Sequence, residues 1–202
     1  MKKIVLLLAA CSLGYTSYGQ SYSDTIIKHR QAYKREFIEE ERSPLKKDDT
    51  AFLRFYTPDA QYRVNARVIL TPDAEPFQMA TYSGKTQQYK KYADLYFKIH
   101  GKPHTLEVYQ SIALMKNPKY SDHLFVPFKD LTNGDETYGG GRYIDMVLGD
   151  LNNGSVLLDF NKCYNPYCAY SDGYNCPIPP AANRLETAIK AGEMNYGKPG
   201  HH

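Results

Sequence analysis

The run Tyr62-Arg63-Val64-Asn65-Ala66-Arg67-Val68-Ile69-Leu70 constrains the fold more than any other stretch. Tyr62, Val64, Ala66, Val68 and Leu70 alternate with Arg63, Asn65, Arg67 and Ile69, and a period of two sends successive side chains to opposite faces of a strand. One apolar strand face needs other strands or helices to cover it, so the run demands a sheet. Candidate partners lie on both sides of it. Arg54-Phe55-Tyr56 reads as a short strand and Phe77 to Tyr82 as another, closed by Ser83-Gly84. Leu95 to Ile99 and His104 to Tyr109 flank His100-Gly101-Lys102-Pro103 as a hairpin. Leu124 to Phe128 is strand-like, with Pro127 indicating an edge or a bulge. A second hairpin is expected where Tyr143 to Leu148 meets Ser155 to Phe160, because Asn153-Gly154 supplies turn residues of positive φ.

The period changes to that of a helix at either end of this region. From Ser23 to about Arg42, Ile26, Ile27, Tyr33, Phe37 and Ile38 recur on one side, while Lys28, Arg30, Lys34, Arg35, Glu39 and Glu40 occupy the other. Pro44 ends that helix, and Lys46-Lys47-Asp48-Asp49 forms an exposed turn or a short second helix. At the far end Asn183 and Glu186 have the spacing of a capping box, Leu185, Ala188 and Ile189 face inward, and Gly192 stops the helix. The expected fold is mainly β within an α+β class. It is an antiparallel sheet or barrel of about eight short strands, with an N-terminal amphipathic helix and a short C-terminal helix. At 202 residues one domain suffices. It runs over 20–196, after an export segment of 19 residues and before a mobile tail at 197–202.

The export segment opens with Lys2 and Lys3, followed by the apolar run Ile4 to Ala10, which is too short to span a membrane. Ser17-Tyr18-Gly19 has the small-x-small pattern of a cleavage site that would leave Gln20 as the first mature residue. The alternative is a lipobox, Leu8-Ala9-Ala10-Cys11, with Cys11 lipidated and the protein tethered to the envelope; the short apolar run ahead of Cys11 favours simple cleavage. Either reading predicts export to the periplasm or the extracellular space. Loss of Lys2 and Lys3 leaves 23 basic residues against 22 acidic, a balance that attracts neither nucleic acid nor anionic lipid by bulk charge. A membrane partner is therefore expected only through Cys11. In an oxidising compartment one pair among Cys163, Cys168 and Cys176 can be bridged.

The stretch from Tyr138 to Glu193 concentrates residues that restrict or free the backbone. It holds Tyr138-Gly139-Gly140-Gly141-Arg142-Tyr143, Asp159-Phe160-Asn161, Cys168-Ala169-Tyr170, Cys176-Pro177-Ile178-Pro179-Pro180 and Asn183-Arg184-Leu185-Glu186. These segments, with Pro127-Phe128-Lys129-Asp130 and Glu136 to Asp145, resemble a bacterial and archaeal family catalogued as domain of unknown function 1684. The likeness runs from the first helix to about Glu193. Departures from the family pattern are Lys129, Lys162, Cys163, Tyr167 and Ala181-Ala182. The resemblance brings no established activity. Because Cys163 is the departure among the cysteines, it implies that Cys168 and Cys176 are the pair with a shared role.

No complete catalytic signature is present. No Lys-Ser or Lys-Thr follows the glycine triplet, and a strand-like run follows it where a helix would be needed, which excludes phosphate-loop and dinucleotide motifs. What remains is a nest of backbone N–H groups beside Arg142 suited to an anion, or a bulge that lets two backbones approach. Cys168 and Cys176 admit a disulfide, a metal site or a nucleophilic thiol, but three cysteines without a nearby histidine fall short of a structural zinc site. His100 and His104 flank a turn without a clear acidic third ligand. No cofactor and no metal are therefore expected. Nineteen tyrosines with no tryptophan suit half-buried strand faces and ligand surfaces alike.

The preferred functional reading is a non-catalytic exported protein that binds a small polar or anionic ligand in a tyrosine-lined cleft. That cleft is built by the glycine turn and the loop from Cys168 to Pro180. Its candidate ligand-binding residues are Gly139, Gly140, Gly141, Arg142, Tyr143, Asn161 and Arg184. One alternative is an envelope hydrolase using the carboxylates of Asp145 and Asp159, or Cys168 as nucleophile. Another is a structural envelope component whose N-terminal helix contacts a partner through Lys34 and Arg35.

Overall fold

The computed structural model describes residues 4–151 and 153–200, and side chains from Ser21 onward. Lys2 and Lys3, and the side chains of the expected export segment and lipobox, lie outside the described residues. Helix α1 (Ile4–Glu39) is followed by a 3-10 turn at Asp48–Phe52 and then by strands β1 (Arg63–Leu70), β2 (Phe77–Ala80), β3 (Thr86–Ile99) and β4 (Lys102–Ser111). A one-turn helix, α2 (Ile112–Met115), precedes β5 (His123–Phe128), β6 (Arg142–Val147) and β7 (Ser155–Asp159). No helix among the described residues is long and apolar enough to cross a membrane.

The stripe by which α1 docks is Tyr22, Ile26, Tyr33 and Phe37, of which Ile26 is fully buried. Ile27 and Ile38, expected on the same side, are 45% and 49% exposed. Each lies 100° round the helix from a buried neighbour, outside a stripe that narrow.

The seven strands form one antiparallel, curled half-barrel sheet in the order β6-β5-β4-β3-β1-β7, with β2 also pairing β3. The expected first hairpin is present: Ile99 pairs Lys102 across His100 and Gly101, whose φ values of 49° and 78° give the doubly left-handed turn that fits the strand twist. The expected second hairpin is not. β6 pairs β5 and β7 pairs β1, so the two strands close opposite ends of the sheet. Asn153 and Gly154 do adopt positive φ, 47° and 78°, but the turn they make delivers the chain to β1, where Gly154 O accepts from Val68 N at 2.7 Å. Turn chemistry names a reversal and leaves the neighbour undetermined.

One sheet face carries the main core, with Ala66 and Val68, Leu95 and Phe97, Leu106 and Val108, Leu124 and Val126, and Ile144 and Met146 contributed strand by strand. Phe160, Leu185, Ile189 and Ala191 join this cluster from the chain after β7. The opposite face holds Met79, Tyr89, Tyr109, Phe125 and Tyr143. A third cluster fastens α1 through Phe37 to Leu45, Leu53, Ala169 and Tyr170.

In place of the short C-terminal helix expected from Asn183 onward there is one 3-10 turn, Ala181–Asn183, and then irregular chain. Asn183 does not cap it. Its fully buried amide accepts from Glu107 N at 2.7 Å and donates to Glu107 O at 2.9 Å and Pro127 O at 2.7 Å. The ladder between β4 and β5 pairs Tyr109 with Phe125, and Asn183 bridges the two strands beyond that pair. Lys129 N donates to Asn183 O at 2.9 Å and Leu185 N to Lys129 O at 2.8 Å, so this segment lies alongside the end of β5. Pro127 is therefore explained: β5 is not an edge, but it parts from β4 there and a side chain from elsewhere satisfies the exposed backbone.

Candidate functional site

The glycine triplet makes a turn in which Gly141 N donates to Tyr138 O at 3.0 Å. A side chain at Gly140 would overlap the Tyr138 ring and lie 2.6 Å from the Tyr82 hydroxyl, which donates to Gly140 O at 2.8 Å. Gly141 has φ 95° and no room for a Cβ beside the Phe128 carbonyl, 2.6 Å away. The bulge-and-close-approach reading of this motif is thus the one the geometry fits.

Arg142 is expected in the cleft and is instead fully buried. It opens β6, and the period of two puts it on the core face with Ile144 and Met146 while Tyr143 and Asp145 take the other. Its guanidinium pairs with Asp130 at 2.7 Å and donates to the carbonyls of Ala191 at 2.5 Å, Ile189 at 2.8 Å and Glu193 at 3.2 Å. Asp130 in turn accepts from Thr132 N and Ile189 N. This arrangement clamps the irregular C-terminal chain onto the sheet and leaves the charge no access to a ligand. Tyr143 is also buried, packed edge-on against Phe125 and Tyr164 with its hydroxyl donating to Pro177 O.

Cys168 and Cys176 form a disulfide with Cα atoms 6.2 Å apart, which removes Cys168 as a free nucleophile. Cys163 is the free thiol; it is buried, and burial pushes it up to about 11. Between the disulfide and the glycine turn lies a cleft of about 860 Å³. Tyr138, Gly139 and Gly134 form one wall, Cys168, Ala169, Ser171 and Asp172 another, and Asn195 and Tyr196 a third. Of the expected ligand set, Gly139 lines this cleft. Asp172 is the one charged residue among its described lining, which therefore offers an anion no cationic side chain.

The remaining candidates are dispersed. Asn161 is buried and bonds Asp59, Asp159 and Tyr22, with its amide 2.8 Å from the Tyr22 hydroxyl. Arg184 is exposed and pairs with Glu186 at 3.1 Å. The two carboxylates of the hydrolase reading sit in separate hydrogen-bond networks. Asp159 accepts from Tyr22 on α1, whereas Asp145 accepts from Tyr164 at 2.6 Å and lies 3.1 Å from His123. The bond to Asp145 raises the His123 ring above its ordinary value. Among the described residues no group of three or more His, Cys, Asp or Glu is placed to hold a metal.

Glu193 was not expected as a site residue, yet it is the most perturbed carboxyl in the molecule. It is fully buried, and its oxygens accept from Tyr170 at 2.6 Å, Tyr33 at 3.0 Å and Asn165 N at 2.9 Å. Burial raises it to about 7 against the pull of those donors. The sequence holds little trace of this, because its partners lie up to 160 positions away.

Residues 50–194 match the family model described as a protein of unknown function, DUF1684. No curated protein matches the chain. An uncharacterised protein of Haloarcula marismortui, solved in solution by NMR, is 36% identical over 88% of this chain and 96% of its own, with a TM-score of 0.68. With its glycine turn, disulfide loop and Asn183 bridge all inside the matched span, the chain belongs to the DUF1684 family.

Proposed function

We propose that this is an exported, non-catalytic protein that holds a small polar ligand in the cleft between the glycine turn and the disulfide loop. The observation that carries the reading is the cleft itself: about 860 Å³, with tyrosine rings on two sides and a wall fixed by a covalent bridge. A pre-formed wall spares a ligand the cost of ordering the loop. The lining favours a neutral or cationic polar molecule over an anion, since Asp172 is the charged member of the described lining and the oxygens of Ser171, Asn195 and Tyr138 can accept hydrogen bonds. Export is supported by Lys2, Lys3 and the apolar run after them, and by a disulfide that persists in an oxidising compartment. Processing at Gly19 fits better than lipidation at Cys11.

Native, non-reducing mass spectrometry of the chain purified from its host is the first test, and a retained small molecule is the expected result. Tyr138→Ala and Asp172→Ala each weaken that ligand about tenfold or more. Affinity unchanged in both variants sinks the site.

A further inference from the structure

A second concavity, of about 190 Å³, lies in the seam where α1 meets the sheet. Three separate elements build it. Ser21, Tyr22 and Thr25 come from α1, Arg63 is the first residue of β1, and Asp159 and Lys162 come from the chain leaving β7. Ser21 and Thr25 are one helical turn apart and share a face; the Thr25 hydroxyl donates to Ser21 O at 3.0 Å, which leaves the Ser21 hydroxyl as the donor on that wall. Tyr22 is 8% exposed, and its ring anchors the arrangement by carrying the Arg63 guanidinium 5.5 Å from its centroid. Stacking of that kind fixes the plane of a guanidinium and leaves its N–H edge open to an in-plane acceptor.

The charges in this seam do not cancel internally. Asp159 is the one acid in the described lining, and the protein already occupies its oxygens: the Tyr22 hydroxyl reaches both at 2.9 and 3.1 Å, and the Asn161 backbone and side-chain amides each donate at 3.0 Å. Arg63 and Lys162 form no salt bridge among the described residues, and both are exposed to solvent at the mouth. Two cations and one donor hydroxyl therefore face a small space whose single described carboxylate is held from behind by Tyr22 and Asn161.

We infer that this seam is a binding site for a phosphate group, with Arg63 and Lys162 as its counter-charges and Ser21 as hydroxyl donor. Charge-assisted bonds from a guanidinium and an ammonium suit a tetrahedral oxyanion. The space is below the roughly 300–1,000 Å³ of drug-sized sites, so it takes a phosphate and the first atoms esterified to it. Free phosphate and a phospholipid headgroup share that chemistry. The site is independent of the glycine-turn cleft, which has no basic residue in its described lining.

The test uses the full chain, inorganic phosphate, and vesicles of phosphatidylcholine with and without phosphatidylglycerol. Phosphate produces saturable amide shifts at Ser21 to Thr25 and at Lys162, and Arg63→Gln and Lys162→Gln each weaken binding about tenfold. Both residues are exposed, so the variants keep the wild-type melting temperature, which is measured alongside. Flotation with anionic vesicles that is lost in the double variant and competed by phosphate identifies a headgroup as the source; phosphate binding without flotation identifies free phosphate. Shifts reproduced by chloride at equal ionic strength, shifts that persist in the double variant, or no response to either probe would overturn the site.

Discussion

Arg142 places a full charge inside the core and holds it there with an acid and three carbonyls. Removing one partner of such a pair leaves the other buried and unpaired, which typically costs about 3–5 kcal/mol. Arg142→Met is therefore expected to lower the unfolding free energy by about that amount in urea melts, with Asp130 and the Ile189, Ala191 and Glu193 carbonyls abandoned together. A loss under about 1 kcal/mol would mean that the clamp does not hold the C-terminal chain. Three glycines before an arginine announced a backbone constraint, and the structure has one at Gly140 and Gly141. Whether the arginine faces ligand or core depends on the phase of β6, and Arg142-Tyr143-Ile144-Asp145 has no clean apolar alternation to set it.

The disulfide loop is tied at its two ends to different parts of the protein. Tyr167 and Tyr170 pack on Phe37 of α1, while Tyr82 N donates to Cys176 O at 3.0 Å and Ile178 N to Ala80 O at 2.8 Å beside β2. The bridge links those two anchorages across a sequence separation of 8. A loop this short loses about 2.5 kcal/mol in the chain-entropy model when the bridge is removed. Cys168→Ser with Cys176→Ser is thus expected to lower stability by about that amount and to speed amide exchange between residues 169 and 175. Unchanged exchange there would show that the tyrosine contacts alone fix the cleft wall. Elements were legible where the signal is local: the His100-Gly101 turn, the alternation of β1 and the position of the disulfide loop. They were not legible where a side chain does backbone work at a distance, as Asn183 does between Glu107 and Pro127. Asn183 and Glu186 matched a capping box, but burial of Leu185 and Ile189 with extended pairing to Lys129 outweighed that local preference.

For the molecule as a whole, Glu193 is where segments distant in sequence meet. Tyr33 brings α1 to it, Tyr170 brings the disulfide loop, Asn165 the chain between them, and Arg142 lies close enough to pull it down electrostatically. Its folded value of about 7 exceeds the roughly 4.3 of an unfolded glutamate, so between those limits the native chain keeps a proton that the unfolded chain has released. Stability from this group is complete below the unfolded value and is lost as pH rises through about 7. Urea midpoints should therefore fall between pH 5 and pH 7.5 by more in the wild type than in Glu193→Gln, whose amide imitates the protonated acid and cannot titrate. His123, also raised, falls in the same direction, but it is present in both proteins and drops out of the difference. Equal slopes would remove Glu193 as the titrating group. The position of the carboxyl adds a sharper expectation: because one proton serves α1 and the cleft wall together, exchange corrected for its intrinsic pH dependence should rise in parallel with pH in residues 21–39 and 165–171. Independent rises would separate the two elements that Tyr33 and Tyr170 appose, at 3.0 Å between hydroxyls, over this one side chain.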